Sequence, residues 1–266
     1  MNLLATLMTI ADEAARVVMG VYEQPFSVEY KGPSDPVTQA DRLANRLICD
    51  RLAAAFPDIP IVAEESPPEH WADFRRSERI FFVDPVDGTR EFVAKNGQFV
   101  VMIGLVEGLR PTHGVLHAPA LGQVWAGEVG HGAFVIEADG QRTALAPLTE
   151  KPLSEAIVVA SSSKRGELSE GERSLLNPKQ LISIGSAGLK GALVADGRAD
   201  VYYARKNAGC LWDTCAPEAI LRALGGVFTD AQGQPLDYRD QDIAQNRGAV
   251  AAVPGLHQEV IAALTR

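Results

Sequence analysis

The run Phe82-Val83-Asp84-Pro85-Val86-Asp87-Gly88-Thr89 carries two carboxylates, three positions apart, from an apolar segment into a turn. Its proline fixes the backbone and its glycine lets the chain fold back tightly. Two carboxylates and a free backbone carbonyl can then converge on one point. A hard divalent cation such as Mg²⁺ takes that oxygen-rich donor set, alongside water and phosphate oxygens. The same tetrad also makes an ordinary solvated Asp-Pro and Asp-Gly turn, and the spacing alone leaves both readings open.

Three further acids stand at the ends of expected elements. Glu64 closes a short strand that begins at Ile59, where a neighbouring strand would bring it beside Asp84; it also reads as surface charge ahead of the Ser66-Pro67-Pro68 break. Asp213 follows Trp212 and opens a helix, so it suits a cap that complements the helix dipole. Cap and ligand are compatible roles, because a carboxylate has oxygens for both. Asp41 lies three residues after Thr38 in a capping-box arrangement, with Asp in place of Glu or Gln, and its spacing alone is structural.

To serve one centre, these acids must be carried by elements that converge. Apolar residues from Leu3 to Val21 recur with helical spacing and no basic stretch precedes them, which predicts a buried amphipathic helix and not a signal peptide. A second helix is expected from Thr38 to Ala55, stopping before Phe56-Pro57. Between the two, Lys31-Gly-Pro-Ser-Asp-Pro36 holds enough turn formers to predict a mobile loop. Short strands are expected at 59–62 and 79–83. An antiparallel meander is expected over 98–106, 114–117 and 123–128, because its connections are short and hold Gly and Pro. Beyond a boundary within 141–153 the pattern alternates: strand 156–160, helix 170–176, strand 181–184, helix 186–196, strand 199–204, helix 213–224, strand 248–253 and helix 254–264. A layered α/β (α+β) protein follows, with two domains at 1–146 and 147–266.

Composition narrows the function. With 34 Asp plus Glu against 25 Lys plus Arg, a net charge of −9 speaks against neutralising a nucleic-acid polymer. No apolar run approaches the ~20 residues of a membrane-spanning helix. The three cysteines, Cys49, Cys210 and Cys215, lack C-x-x-C spacing, so a reduced cytoplasmic setting is expected. Cys210 and Cys215 suit apolar positions near a helix end better than redox or nucleophilic chemistry.

Glu64-Glu65-Ser66, Asp84-Pro-Val-Asp-Gly-Thr89 and Trp212-Asp213 together closely resemble the motifs of the inositol monophosphatase superfamily of magnesium-dependent, lithium-sensitive phosphatases. The likeness runs from Pro36-Val-Thr-Gln-Ala-Asp41 to Asn246-Arg-Gly-Ala-Val-Ala251. Within the superfamily, Thr89-Arg-Glu-Phe92 followed by Asn96-Gly-Gln-Phe99 is similar to the bacterial 3′(2′),5′-bisphosphate nucleotidases. Trp212-Asp-Thr-Cys-Ala-Pro-Glu218 and Gly225-Gly-Val-Phe-Thr-Asp230 are similar to the animal ones.

The resemblance implies an αβαβα five-layered sandwich, two to three Mg²⁺ ions per site and a place in sulfur assimilation. It makes Glu64, Asp84, Asp87, Asp213 and the Val86 carbonyl the metal ligands. Asp41 and Thr89 become the pair that orients and deprotonates the attacking water, with Glu64 beside them. Glu64, Val86, Asp87, Gly88, Thr89, Lys190 and Asp213 would meet the substrate, a small phosphorylated molecule, with 3′-phosphoadenosine 5′-phosphate the expected nucleotide and AMP and phosphate the products. Lys190 would answer a second phosphate and otherwise reads as a solvated helix residue. Arg205 and Ser161-Ser-Ser-Lys-Arg165 are weaker candidates for the same task, and a homodimer is compatible with the family. An inositol-phosphate or sugar-phosphate monoesterase is the alternative on the same site. A non-catalytic ion-binding scaffold is a third reading, which has no need of the Asp41 and Thr89 pair.

Overall fold

The computed structural model describes residues 2–32, 35–71, 73–162, 167–206, 208–240 and 242–265. Its first sheet has seven strands in the order β3 (Ile61–Ala63), β4 (Arg79–Asp87), β5 (Val100–Glu107), β6 (Arg110–Ala118), β7 (Gln123–Glu128), β8 (Gly132–Ile136) and β9 (Arg142–Ala144). All neighbours are antiparallel except β3 and β4. Short Gly-containing and Pro-containing connections produce that meander, as expected; its last two strands, β8 and β9, went unread.

Both faces of this sheet are covered, so its central strands are continuous apolar runs. Along β4, Phe81 and Val83 pack under α1 (Leu3–Tyr22) and α2 (Gln39–Ala55), whereas Phe82 faces the other way. There it meets a layer built from α5 (Ala187–Ala195) and α6 (Leu211–Ala223). Beneath that layer lies a five-stranded sheet ordered β11 (Gln180–Ile184), β10 (Ile157–Ser161), β12 (Val201–Ala204), β14 (Ala249–Ala252) and β13 (Val227–Thr229). Its outer face carries α4 (Glu170–Leu176) and α7 (Pro254–Leu264). The five layers are those of an αβαβα sandwich. The chain passes from the first sheet to the second between Ala144 and Ile157.

The boundaries of the expected helices fall within one or two residues of the sequence reading; the five-residue α3 (Thr89–Val93) was not among them, and α6 begins at Leu211, so Asp213 is its third residue. The stretch expected to be a mobile loop is different. Its described residues belong to an antiparallel hairpin of β1 (Val28–Gly32) and β2 (Asp35–Thr38), with Pro36 opposite Tyr30. Proline is tolerated there because the two-stranded ribbon leaves one side of each strand without a partner. Pro33 and Ser34 lie outside the described residues. Among the described residues no helix is long and apolar enough to cross a membrane.

Candidate active site

Asp84 and Asp87 are an odd number of residues apart, so on a regular strand their side chains would point to opposite faces. A bulge corrects this. Asp84 pairs with Met102 and Asp87 with Val100, two residues on β5 against three on β4, which returns both acids to one side. Pro85, with no N–H to offer a ladder, sits inside the irregularity. Asp84 then accepts the Val86 N–H at 2.9 Å. Asp87 reaches the start of α5, where it accepts the Ser186 hydroxyl and the N–H groups of Ala187 and Gly188 at 3.1 and 2.6 Å.

Asp213 comes from the opposite side, on the first turn of α6, and reaches back to accept the Cys210 N–H at 2.6 Å. Gly209 holds φ +87°, and a β-carbon there would collide with the Asp213 carboxylate, so glycine is required on both counts. The helix lies close on the sheet because Gly104 and Gly114, cross-strand partners on β5 and β6, receive the backbone of Cys215–Ala216. Gly127, opposite Gly114 on β7, receives Ile220.

The result is a trio: Asp84, Asp87 and Asp213 offer carboxylate oxygens all within 4.8 Å of one another. Among the described residues no lysine or arginine forms an ion pair with any of them. Burial, then repulsion by Glu64, Asp213 and Asp87, pushes the Asp84 carboxyl well above the ordinary range. Burial, then repulsion by Asp87 and Glu64, does the same to Asp213. Hard oxygen donors that suffer from one another's charge and lack an internal cation are the donor set a divalent ion fits.

Glu64 stands beside the trio. Its N–H donates to the Val83 carbonyl at 3.1 Å, continuing the parallel β3–β4 ladder and setting it next to Asp84, as the sequence suggested. Its carboxylate is pinned by Lys31 at 2.8 Å, which also holds Glu65 at 2.6 Å. Burial raises its pKa to about 7 although Lys31 opposes the rise.

Asp41 is both a cap partner and more. Its Oδ2 accepts the N–H and hydroxyl of Thr38 at 2.7 and 2.6 Å, closing the capping box of α2. Its Oδ1 is left for the Thr89 hydroxyl at 3.0 Å. That hydroxyl is also 3.1 Å from the Val86 carbonyl, so its single proton serves one acceptor at a time. Burial raises the Asp41 pKa, against the pull of its hydrogen bonds from Thr38 and Thr89. The N-termini of α2 and α6 thus each carry an acid of the site, that of α5 receives Asp87 from β4, and each presents its positive end there.

Asp87, Gly88, Thr89, Lys190, Tyr202 and Asp213 wall a cavity of about 280 Å³. Lys190, read as a solvated alternative in the sequence, is 3% exposed. Its ammonium donates to the carbonyls of Gly185 and Ser186 at 3.1 and 2.8 Å, leaving one N–H for another acceptor. Arg205 does not join this cavity. It follows Ala204, which does line it, and turns instead to Glu172 at 3.2 Å, where it borders a separate hollow with Lys206 and Arg247. Ser161 reaches the cavity wall, whereas residues 163–165 of that candidate segment lie outside the described residues. Ser186 and Gly209 were missed. For the former, its place as the first residue of the expected 186–196 helix, a position that suits a cap, was the one available signal, and its bond to Asp87 spans 99 positions.

The description "Inositol monophosphatase family" matches residues 1–266. A 3′(2′),5′-bisphosphate nucleotidase CysQ of Aggregatibacter actinomycetemcomitans is 34% identical over 95% of this chain and 93% of its own. The 3′(2′),5′-bisphosphate nucleotidase 1 of Mus musculus is 28% identical over 95% and 90%. Among solved structures, the Thermotoga maritima IMPase superposes with a TM-score of 0.82 at 28% identity, covering 100% of this chain and 97% of that one.

Proposed function

Because the chain belongs to the inositol monophosphatase family, we propose that it is a 3′(2′),5′-bisphosphate nucleotidase that hydrolyses 3′-phosphoadenosine 5′-phosphate to AMP and phosphate. In this reading residues 1–146 and 147–266 act as two domains, the first supplying most ligands and the second Asp213 and substrate contacts. Glu64, Asp84, Asp87, Asp213 and the Val86 carbonyl would hold two to three Mg²⁺ ions. When bound, such ions neutralise charge on the transferring phosphoryl group and make water more acidic.

The observation that carries hydrolysis is the Thr89 to Asp41 hydrogen bond beside a trio of acids that forms no ion pair among the described residues. Thr38 occupies Asp41 Oδ2 and fixes the carboxylate, so Oδ1 is the atom that can receive a proton from Thr89 Oγ1. The hydroxyl in turn takes one proton from the attacking water, whose oxygen bonds to phosphorus as the bond from phosphorus to the ester oxygen breaks. The ester oxygen takes a proton from solvent water to become the product hydroxyl. Raised by burial, Asp41 is a better base than an exposed aspartate. The free N–H of Lys190 would meet the second phosphate, a task its place in the cavity wall supports. A cytoplasmic location and a homodimer accompany the reading.

The nucleotide branch is supported by the names of the relatives and by the Thr89–Phe92 and Trp212–Glu218 segments. Purified protein with Mg²⁺ is expected to release phosphate from 3′-phosphoadenosine 5′-phosphate far faster than from inositol 1-phosphate. The reverse ranking overturns the nucleotidase reading in favour of an inositol phosphatase.

A further inference from the structure

Glu218 is fully buried on α6, and the chemistry above makes no use of it. Its carboxylate pairs with the Arg110 guanidinium of β6 and accepts the Tyr238 hydroxyl at 2.9 Å. Arg110 also donates to the carbonyls of Phe228 and Leu236 at 3.2 and 3.3 Å, which ties the segment that holds Tyr238 to the seven-stranded sheet.

Tyr238 is the centre of this arrangement. Its hydroxyl is 3.1 Å from the hydroxyl of Thr214, the residue after Asp213. Its ring packs edge-on against Phe82, two residues before Asp84, with centroids 5.4 Å apart and planes at 65°. One side chain therefore touches both elements that deliver the acid trio.

That contact answers a mechanical problem. Asp84 comes from β4 and Asp213 from α6, so the seating of the helix against the strand decides whether their carboxylates meet. The glycines under the helix set how close it lies, and the buried apolar side chains of α6 hold it on the sheet without directional bonds. Tyr238 adds a directional contact at two successive turns of α6, at Thr214 and Glu218. The phenol has one proton for two acceptors, Glu218 Oε2 and Thr214 Oγ1, and the Thr214 hydroxyl itself donates to the Leu211 carbonyl at 3.1 Å.

We propose that Tyr238 is a positioning residue for the metal site, fixing the rotation of α6 relative to β4 so that Asp213 meets Asp84 and Asp87. The inference rests on the magnesium reading of those acids. In the purified protein without substrate, Tyr238→Phe is expected to bind Mg²⁺ about tenfold more weakly by titration calorimetry, in line with losses of outer-shell support. Its Mg²⁺-dependent rise in melting temperature should shrink accordingly. At saturating Mg²⁺ its kcat should stay within about twofold of the parent, because the acids themselves are intact.

A remote control separates positioning from general loosening. Ile48→Val, in α2 on the outer face of the sheet, loosens buried core packing and is expected to leave Mg²⁺ affinity unchanged. Parental Mg²⁺ affinity in folded Tyr238→Phe, or an equal loss in Ile48→Val, overturns the proposal. Should Tyr238→Phe not fold, Thr214→Val removes the same bond from the helix side and is expected to weaken Mg²⁺ binding too; parental affinity there overturns the proposal equally. If the parent protein takes up no Mg²⁺, the magnesium reading fails first. Parental uptake with unaltered uptake in folded Tyr238→Phe defeats this inference alone.

Discussion

Helix α6 carries Asp213 and Glu218 little more than a turn apart, and the fold provides for them in opposite ways. Glu218, fully buried, has the Arg110 guanidinium, the Tyr238 hydroxyl and the nearby field of Arg222; burial still raises its pKa, but only to about 7. Asp213, at the cavity wall, has one backbone N–H and faces Asp84 and Asp87, with Lys190 only a partial offset. A carboxylate whose work is architectural is folded together with its cation. The trio forms no ion pair with a lysine or arginine among the described residues, and its carboxylates are a donor set that could hold a cation from solution.

Neutralising each acid in turn tests that difference most severely. Asp213→Asn is expected to cut Mg²⁺-dependent phosphate release by orders of magnitude while keeping or raising the melting temperature in chelator, since one repelling charge is gone. Parent protein at ~100 times its Kd for Mg²⁺ should gain ~2.7 kcal/mol of stability, and Asp213→Asn should gain almost none. Glu218→Gln keeps an oxygen for the Tyr238 hydroxyl and should retain most activity. Turnover assays and melting curves with and without Mg²⁺ read all three. If Glu218→Gln abolished Mg²⁺ stabilisation and Asp213→Asn did not, the two acids would have exchanged roles.

Only one of these two acids announced itself in the sequence. Asp213 stands beside Trp212 in a family motif, and Asp84 and Asp87 share a turn whose proline and glycine are local signals. Glu64 beside Asp84 was legible too, because short strands ending in acids readily pair. Glu218 lies inside a quoted motif, yet its partners, Arg110 and Tyr238, are distant in the chain and no periodicity foretells such a contact. The bulge that puts Asp84 and Asp87 on one side is likewise a property of pairing with β5 and not of either acid. The 31–36 stretch was misread because Gly and Pro break central strands but are tolerated in a two-stranded hairpin. Arg205, a weaker candidate from the start, is kept out by the strand's alternation: Ala204 faces the acid cavity and the next residue does not.

A pH titration sharpens the comparison by a smaller effect. Glu64 and Glu218 both have pKa values raised from 4.5 to about 7 in the folded protein. A raised folded pKa means the native state holds its proton where the unfolded chain has lost it. The contribution is therefore complete below pH 4.5 and is lost as pH climbs through 7, for Glu218 a change of ~3 kcal/mol. Urea unfolding in chelator should show stability falling from pH 5 to pH 8. Mg²⁺ is expected to remove the part due to Glu64, because a bound cation favours its ionised form. The part due to Glu218 should persist with Mg²⁺ and disappear in Glu218→Gln. A slope that Mg²⁺ removed entirely would mean that Glu218 is not titrating in its Arg110 and Tyr238 surroundings.

The smallest expected effect separates two acids that hold the same helical position. Asp41 and Asp213 are each the third residue of a helix, and each reaches back to the residue before it. Asp41, however, has its Oδ2 bound by both donors of Thr38 and its Oδ1 turned to Thr89, outside the trio. Thr38→Ala removes one of those donors and the cap on the Ala40 N–H, so it should cost ~1 kcal/mol of stability. With Asp41 less firmly oriented toward Thr89, kcat should fall several-fold while the Kd for Mg²⁺ from calorimetry stays at the parental value. A weakened Kd with unchanged kcat would place Asp41 with Asp213 among the ion-holding acids. The expected result assigns the N-terminus of α2 to moving a proton and that of α6 to holding a cation, two uses of one capping geometry.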